Sequence, residues 1–210
     1  MILNDIDFYF ITDSKLTKKD IFSDVENALK AGCKIIQYRE KNKDYQTMVY
    51  EARILKKKCE NKAFFLINDK IEVALATNAD GIHIGKTDIN YTDARKLLGP
   101  KKIIGVSVDN VKEAIDAENM GADYIGLGPI FETSTKKDAG KPCGIKMLKN
   151  VRKNVKLPIV AIGGITKKNV TDVIKNGADA VAAVSAVVAS DDVYREVNDF
   201  INIIRRCKYT

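Results

Sequence analysis

Short apolar runs rich in β-branched residues alternate with longer amphipathic stretches along the chain, and this alternation restricts the fold more than any other feature. The runs are Phe8–Thr12, Ile35–Arg39, Ala63–Asn68, Gly81–Gly85, Ile103–Val108, Tyr124–Gly128, Pro158–Gly163 and Ala180–Val187. Between them lie helical patterns over Ile21–Ala31, Tyr45–Asn61, Lys70–Thr77, Thr92–Leu98, Val111–Met120, Ile145–Asn154 and Lys167–Asn176, and Val193–Arg206 closes the chain. Strict alternation of strand and helix specifies a parallel sheet with crossover helices.

A repeated phrase supports the count. Lys30-Ala31-Gly32-Cys33, Thr77-Asn78-Ala79-Asp80, Met120-Gly121-Ala122-Asp123 and Asn176-Gly177-Ala178-Asp179 each fall just before a strand. A glycine there ends a helix in the left-handed conformation and turns the chain into the sheet. The competing architecture, a doubly wound open sheet, carries a glycine-rich first βα turn. Here that turn reads Thr12-Asp13-Ser14-Lys15. The pattern predicts an α/β fold, a single-domain (β/α)8 TIM barrel over residues 1–210 with lean loops.

Composition narrows the function. Hydrophobic residues are 45% and charged residues 30% of the chain, ordinary for a globular protein. No apolar run reaches the roughly 18 residues of a membrane span. The opening Met1-Ile2-Leu3-Asn4-Asp5 lacks a basic region followed by an apolar stretch, so neither a leader nor a membrane partner is expected. Cys33, Cys59, Cys143 and Cys207 are scattered, without a CxxC pair or a nearby histidine. They read as reduced thiols of a cytoplasmic protein rather than a zinc site. The net charge of +7 is compatible with nucleic acid or with small anionic substrates. The lysines are spread along the chain with no tryptophan among them, which argues against a nucleic-acid stripe. Lys56-Lys57-Lys58 reads as a solvated helix face.

In a barrel of this kind the site lies where strands end and helices begin, and the polar residues gather there. Gln37 and Arg39 are two apart on one strand and therefore face one way; a buried Arg39 needs an anion, either a ligand or a structural partner such as Glu40 or an aspartate across the barrel. Asp69 and Asp88 end adjacent strands. They suit Mg²⁺, which takes one or two carboxylates plus substrate phosphates, or else they cap helices. Gly163-Gly164 and Ser185 fall at the ends of strands seven and eight, where barrels bind phosphate through backbone N–H groups; a tight turn needing glycine is the alternative. His83, the single histidine, reads as a packed, hydrogen-bonded strand residue. The longest connection, Pro129 to Gly144, carries Thr133, Ser134, Thr135 and Lys136, and connections of that length often act as lids. Closure of this one over bound diphosphate is expected.

Along nearly its whole length the chain resembles the thiamine-phosphate synthase family. The carrying segments are Tyr9-Phe10-Ile11-Thr12-Asp13, Gln37-Tyr38-Arg39-Glu40-Lys41, Leu66-Ile67-Asn68-Asp69, Gly81-Ile82-His83-Ile84-Gly85 with Asp88, Ile104-Gly105-Val106-Ser107, Gly126-Leu127-Gly128-Pro129-Ile130-Phe131, Thr133-Ser134-Thr135-Lys136, Ala161-Ile162-Gly163-Gly164-Ile165 and Val184-Ser185. The resemblance implies that a pyrimidine methyl diphosphate is joined to a thiazole phosphate, giving thiamine phosphate and diphosphate. It implies that Gln37, Tyr38, Arg39, Glu40, Lys41, Asn68, Ser107 and Lys136 hold the pyrimidine diphosphate, with Arg39, Lys136 and Ser107 catalytic. Asp69 and Asp88 would ligate Mg²⁺, and Thr133, Ser134, Thr135, Gly164, Val184 and Ser185 would bind the thiazole phosphate. The chain departs from the family pattern at Lys86, where glutamine is usual, at Asp109, where histidine is frequent, and at Cys143 ahead of Gly144, where the family often has valine and glycine. A related thiazole tautomerase would not need Asp69, Asp88, Arg39 and Lys136 together.

Overall fold

The computed structural model describes residues 6–133, 135 and 140–209. Apart from the eighth strand, the expected elements form within one to three residues of their predicted ends. The strands are β1 (Tyr9–Ile11), β2 (Ile35–Tyr38), β3 (Phe64–Asn68), β4 (Gly81–Ile84), β5 (Ile103–Val108), β6 (Tyr124–Leu127), β7 (Ile159–Ile162) and β8 (Ala180–Ala182). The helices are α1 (Ile21–Lys30), α2 (Tyr45–Cys59), α3 (Ile71–Ala76), α4 (Tyr91–Leu98), α5 (Val111–Met120), α6 (Gly144–Asn154), α7 (Val170–Lys175), α8 (Val184–Val188) and α9 (Val193–Tyr209). Each strand pairs in parallel with the next, in the order β1 through β8. A parallel bridge between Phe8 and Val181 closes the ring.

The continuous apolar runs follow from burial on both faces, as a parallel sheet requires. Alternate residues go to different cores. Phe10, Ile36, Tyr38, Phe65, Ile67, Ile82 and Ile104 pack outward against the helices. Tyr9, Ile11, Ile35, Leu66, Ile103, Tyr124, Ala180 and Ala182 fill the lumen. Outside, α9 buries Val193, Val197, Phe200, Ile201 and Ile204, a stripe at helical spacing. Asp7, buried at the head of β1, accepts from Arg205 at 2.8 Å and Lys208 at 3.0 Å, which ties the last helix to the first strand.

The repeated phrase before the strands has a physical role beyond ending helices. Gly121 takes φ 88° after α5 and Asn78 takes φ 47° after α3, the left-handed turn that the phrase predicts. The aspartate that follows reaches back to the neighbouring strand. Asp80, Asp123 and Asp179 accept from the backbone N–H of Phe65, Ile104 and Ile159 at 2.8, 2.8 and 2.7 Å. Each also pairs with a cation on a flanking helix: Lys56 at 2.6 Å, Arg95 at 2.7 Å and Arg152 at 2.9 Å. Three of the four phrases therefore lock the N-terminal end of the barrel.

Two readings need correction. The eighth strand does not run to Val187: it ends at Ala182, and Val184–Val188 forms α8. Valines have high strand propensity, but the segment has passed the rim, where no neighbouring strand remains to pair with it. The lysine run is not simply solvated, since Lys56 pairs with Asp80 and Lys58 with Glu26, leaving Lys57 exposed.

Candidate active site

The C-terminal rim collects the polar residues, as the strand ends predict. At the exit of β1, the buried Thr12 accepts the Arg39 N–H at 2.9 Å, and Asp13 accepts the Arg39 guanidinium at 3.1 Å. Arg39 thus has as partner not Glu40 and not an aspartate across the barrel, but Asp13 at the end of the neighbouring strand β1. Its side chain keeps 21% of its area exposed, enough to meet a second anion. The Glu40 carboxylate folds back on its own turn and accepts the N–H groups of Lys41 and Asn42 at 2.7 and 2.8 Å. Burial pushes its pKa up, but the Ser14 hydroxyl and those N–H groups hold it below the ordinary range.

Gln37 and Tyr38 diverge. Gln37 lies in the lumen, where its amide donates to Tyr9 Oη at 2.9 Å. Tyr38 points outward and donates to Glu51 of α2 at 2.7 Å. The Tyr38 side chain leaves the rim because consecutive strand residues face opposite ways, and the buried Glu40 shares Lys43 with Tyr38's partner Glu51.

Asp69 and Asp88 come together. Asp69 follows β3 at φ 61° and pairs with Lys41. Asp88 curls back to accept the Gly85 N–H at 2.7 Å. The two carboxyls interact, each shifting the other's pKa. Burial and the neighbouring Asp69 raise the Asp88 pKa; for Asp69, burial is outweighed by Asp88 and Lys41, and its pKa is lowered. Neither residue caps a helix: Lys70 sits at the α3 N-cap without a side-chain bond, and Asn90 caps α4. The helix-cap alternative therefore fails, and what remains is a pair of neighbouring acids whose carboxyls shift each other's pKa. Among the described residues no cluster of three or more histidine, cysteine or acidic side chains is present.

The two unusual positions, Lys86 and Asp109, answer each other. Lys86 Nζ lies 2.5 Å from Asp109 and 2.7 Å from Glu113 of α5, and these acids raise its pKa. The Lys86 charge is thereby paired with acids other than Asp69 and Asp88.

On the far side, Gly163 and Gly164 take φ 98° and 63°, and Phe131 N–H donates to the Gly163 carbonyl at 3.0 Å. A Cβ on Gly164 would lie 2.4 Å from the Glu132 carbonyl oxygen. The tight-turn reason for glycine is thus present whatever ligand binds, and a substitution at Gly164 tests the turn before it tests a phosphate. Val184 and Ser185 form the first turn of α8, and Ser185 is exposed. Thr133 Oγ1 accepts the Thr135 N–H at 3.3 Å. Ser134 and Lys136 lie outside the described residues, and with them the expected closure of the loop.

Sequence reasoning missed the lumen beneath this rim. Tyr9 and Tyr124 meet through their hydroxyls at 2.7 Å, and His83 lies between Tyr124 Oη and Ser107 Oγ, 2.9 Å from each. The signal was available: both tyrosines occupy inward strand positions, and a buried phenol finds a polar partner. His83 is the hydrogen-bonded strand residue expected.

This arrangement defines an enzyme of the (β/α)8-barrel class, with its site on the C-terminal face. The family model described as thiamine monophosphate synthase matches residues 8–187. Thiamine-phosphate synthase of Methanosarcina mazei is 56% identical over 209 residues, covering 100% of this chain and 87% of that protein. The Methanosarcina barkeri protein of the same name is 55% identical over 207 residues, covering 99% and 94%. A solved structure titled thiamine phosphate pyrophosphorylase, from Pyrococcus furiosus, superposes with a TM-score of 0.91 at 36% identity, covering 99% of each chain. The chain belongs to the thiamine monophosphate synthase family, and it is a transferase of thiamine biosynthesis.

Proposed function

We propose that the rim condenses 4-amino-2-methyl-5-(diphosphooxymethyl)pyrimidine with a thiazole phosphate, giving thiamine phosphate and diphosphate. The observation that carries this reading is the neighbouring Asp69–Asp88 pair with Lys41 against it and Arg39 at the adjacent strand end. Two neighbouring acids that perturb each other's pKa suit Mg²⁺, which needs only one or two carboxylates when phosphates complete its shell. Bound there, Mg²⁺ would supply charge neutralisation to the diphosphate.

The side chains divide the remaining work. Arg39 and Lys41 offer positive charge to the diphosphate oxygens, and Lys136 is assigned the same task from the sequence. Gln37, Asn68 and Ser107 line the way from the lumen to the rim and orient the pyrimidine. The C–O bond to diphosphate breaks, the electron-rich aminopyrimidine stabilises the methylene cation left behind, and the thiazole nitrogen forms the new C–N bond. No protein nucleophile is needed, so the absence of a Ser-His-Asp or Cys-His set from the sequence reading is no objection. Thr133, Ser134, Thr135 and the backbone at Gly164, Val184 and Ser185 are assigned to the thiazole phosphate; the turn at Gly163-Gly164 and the start of α8 bring N–H groups to the rim where barrels commonly hold phosphate. Among the described residues no helix is long and apolar enough to cross a membrane, and a cytoplasmic location with small phosphorylated partners accords with this chemistry.

A coupled assay of diphosphate release tests the reading. Release should require both substrates and Mg²⁺, and should stop with EDTA. Absence of release with both substrates and metal present would overturn it.

A further inference from the structure

Gln37, Tyr9, Tyr124, His83 and Ser107 form one continuous hydrogen-bonded chain across the lumen, from β2 through β1, β6 and β4 to β5, with steps of 2.9, 2.7, 2.9 and 2.9 Å. The sheet makes room for it. A Cβ at Gly105 would lie 2.0 Å from Tyr124 Cζ, and one at Gly126 would lie 2.9 Å from His83 Cε1. Space is thus reserved on β5 and β6 for the phenol and the imidazole. The assigned chemistry at the rim uses only the two ends of this chain.

We infer that Tyr9 and Tyr124 are positioning residues that give the chain a single direction, so that His83 carries its hydrogen on Nε2 and Ser107 turns its own hydroxyl hydrogen toward an acceptor atom of the bound substrate. The direction is set at Gln37, whose amide nitrogen can only donate. Tyr9 Oη accepts that hydrogen. Both phenols stay protonated, because burial raises the pKa of each far above neutral, so each carries one hydrogen to place. Tyr9 places its hydrogen on Tyr124, and Tyr124 places its hydrogen on Nδ1 of His83. An Nδ1 that accepts leaves the ring hydrogen on Nε2, which donates to Ser107 Oγ. The serine hydrogen is then the last in the series and points to the rim.

In the opposite direction Ser107 would donate to Nε2, Nδ1–H to Tyr124, and Tyr124 to Tyr9. Tyr9 would then accept from both sides, and its own hydrogen would find no acceptor among the described residues in a position 2% exposed. An unpaired buried donor disfavours that arrangement by roughly ten-fold. A doubly protonated imidazole fails for a similar reason, since Tyr124 would receive two hydrogens and have nowhere to put its own. Linked bonds of one polarity also reinforce one another. The consequence for recognition is specific: Ser107 acts as a donor, and the substrate atom it meets is a lone-pair acceptor. Only that consequence rests on the proposed reaction; the direction of the chain does not.

The chain has one histidine, so protein labelled with ¹⁵N-histidine and freed of any histidine tag gives one pair of ring nitrogen signals. Ligand-free protein near pH 8, above the usual histidine range, should show the Nε2–H tautomer with Nδ1 unprotonated. Ser107→Ala should leave that tautomer in place, because the direction is set at the Gln37 end. An Nδ1–H tautomer, a ring protonated on both nitrogens, or loss of the tautomer in Ser107→Ala would overturn the inference. The readout needs no turnover, so its failure is distinguishable from failure of the diphosphate-release assay.

Discussion

Gly105→Ala adds one carbon to the barrel lumen, and the structure gives the size of its effect. The new Cβ would lie 2.0 Å from Tyr124 Cζ, 2.3 Å from Cε1 and 2.4 Å from Oη. Non-bonded carbons rest near 3.5 Å, so the ring would have to withdraw by about 1.5 Å. It has nowhere to go cheaply. Tyr124 is 1% exposed, and its hydroxyl is held by Tyr9 at 2.7 Å and by His83 at 2.9 Å. A shift of that size breaks both bonds. Overpacking of a close-packed core costs about 1–3 kcal/mol, and each lost hydrogen bond adds about 1 kcal/mol. The expected loss is therefore about 3–5 kcal/mol, a large part of the roughly 5–15 kcal/mol by which domains are stable. Urea unfolding followed by circular dichroism measures it as a lower midpoint at unchanged slope. Tyr124→Leu removes the obstructing ring, so Gly105→Ala should cost less in that background, with a coupling above about 1 kcal/mol. A loss below about 1 kcal/mol in the single variant, or strict additivity in the pair, would refute the argument that Gly105 exists to seat Tyr124.

Asp69→Asn or Asp88→Asn should lower Mg²⁺-dependent turnover by ~10-fold or more, because a lost charge contact in the transition state costs a few kcal/mol; wild-type activity in the double variant would remove the metal assignment. Asp20 caps α1 by accepting from Ser23 and Phe22 at 2.8 and 2.9 Å, and these bonds lower its pKa. A lowered folded pKa stabilises above the unfolded value and is lost as pH falls through the folded one. Asp20→Ala should therefore cost about 1 kcal/mol at pH 7, and the difference from wild type should shrink in acid; a gap that is constant with pH would contradict it. Burial pushes the thiols of Cys33 up to about 11 and of Cys59 up to about 12, so a thiol reagent at pH 8 should reach Cys143 and Cys207 first. Mass spectrometry of the native protein finding early modification at Cys33 or Cys59 would contradict the buried placement.

Much of the architecture was legible in the sequence because its causes are local. Apolar runs buried on both faces, helical stripes and left-handed turns at Gly121 and Gly177 each follow from a few neighbouring residues, and their order leaves little choice but a parallel barrel. The rim was legible for the same reason: once strands are located, Gln37, Asp69, Asp88, Ser107 and Gly164 fall at or beside their ends. Tertiary structure decided which side chains meet. Whether Arg39 pairs with Glu40 or Asp13, whether Asp69 caps a helix or lies beside Asp88, and whether Lys86 turns to the acids at the rim or to Asp109 depends on how the ends of paired strands are juxtaposed once the sheet forms. So does the end of β8, where propensity favours a longer strand but pairing stops at the rim. The lumen chain from Gln37 to Ser107 is the clearest case. Its members come from five strands spanning residues 9 to 124, and only closure of the barrel brings Tyr9 within 2.7 Å of Tyr124, 115 residues away. Sequence periodicity tells which way a side chain points, but not which partner waits for it there.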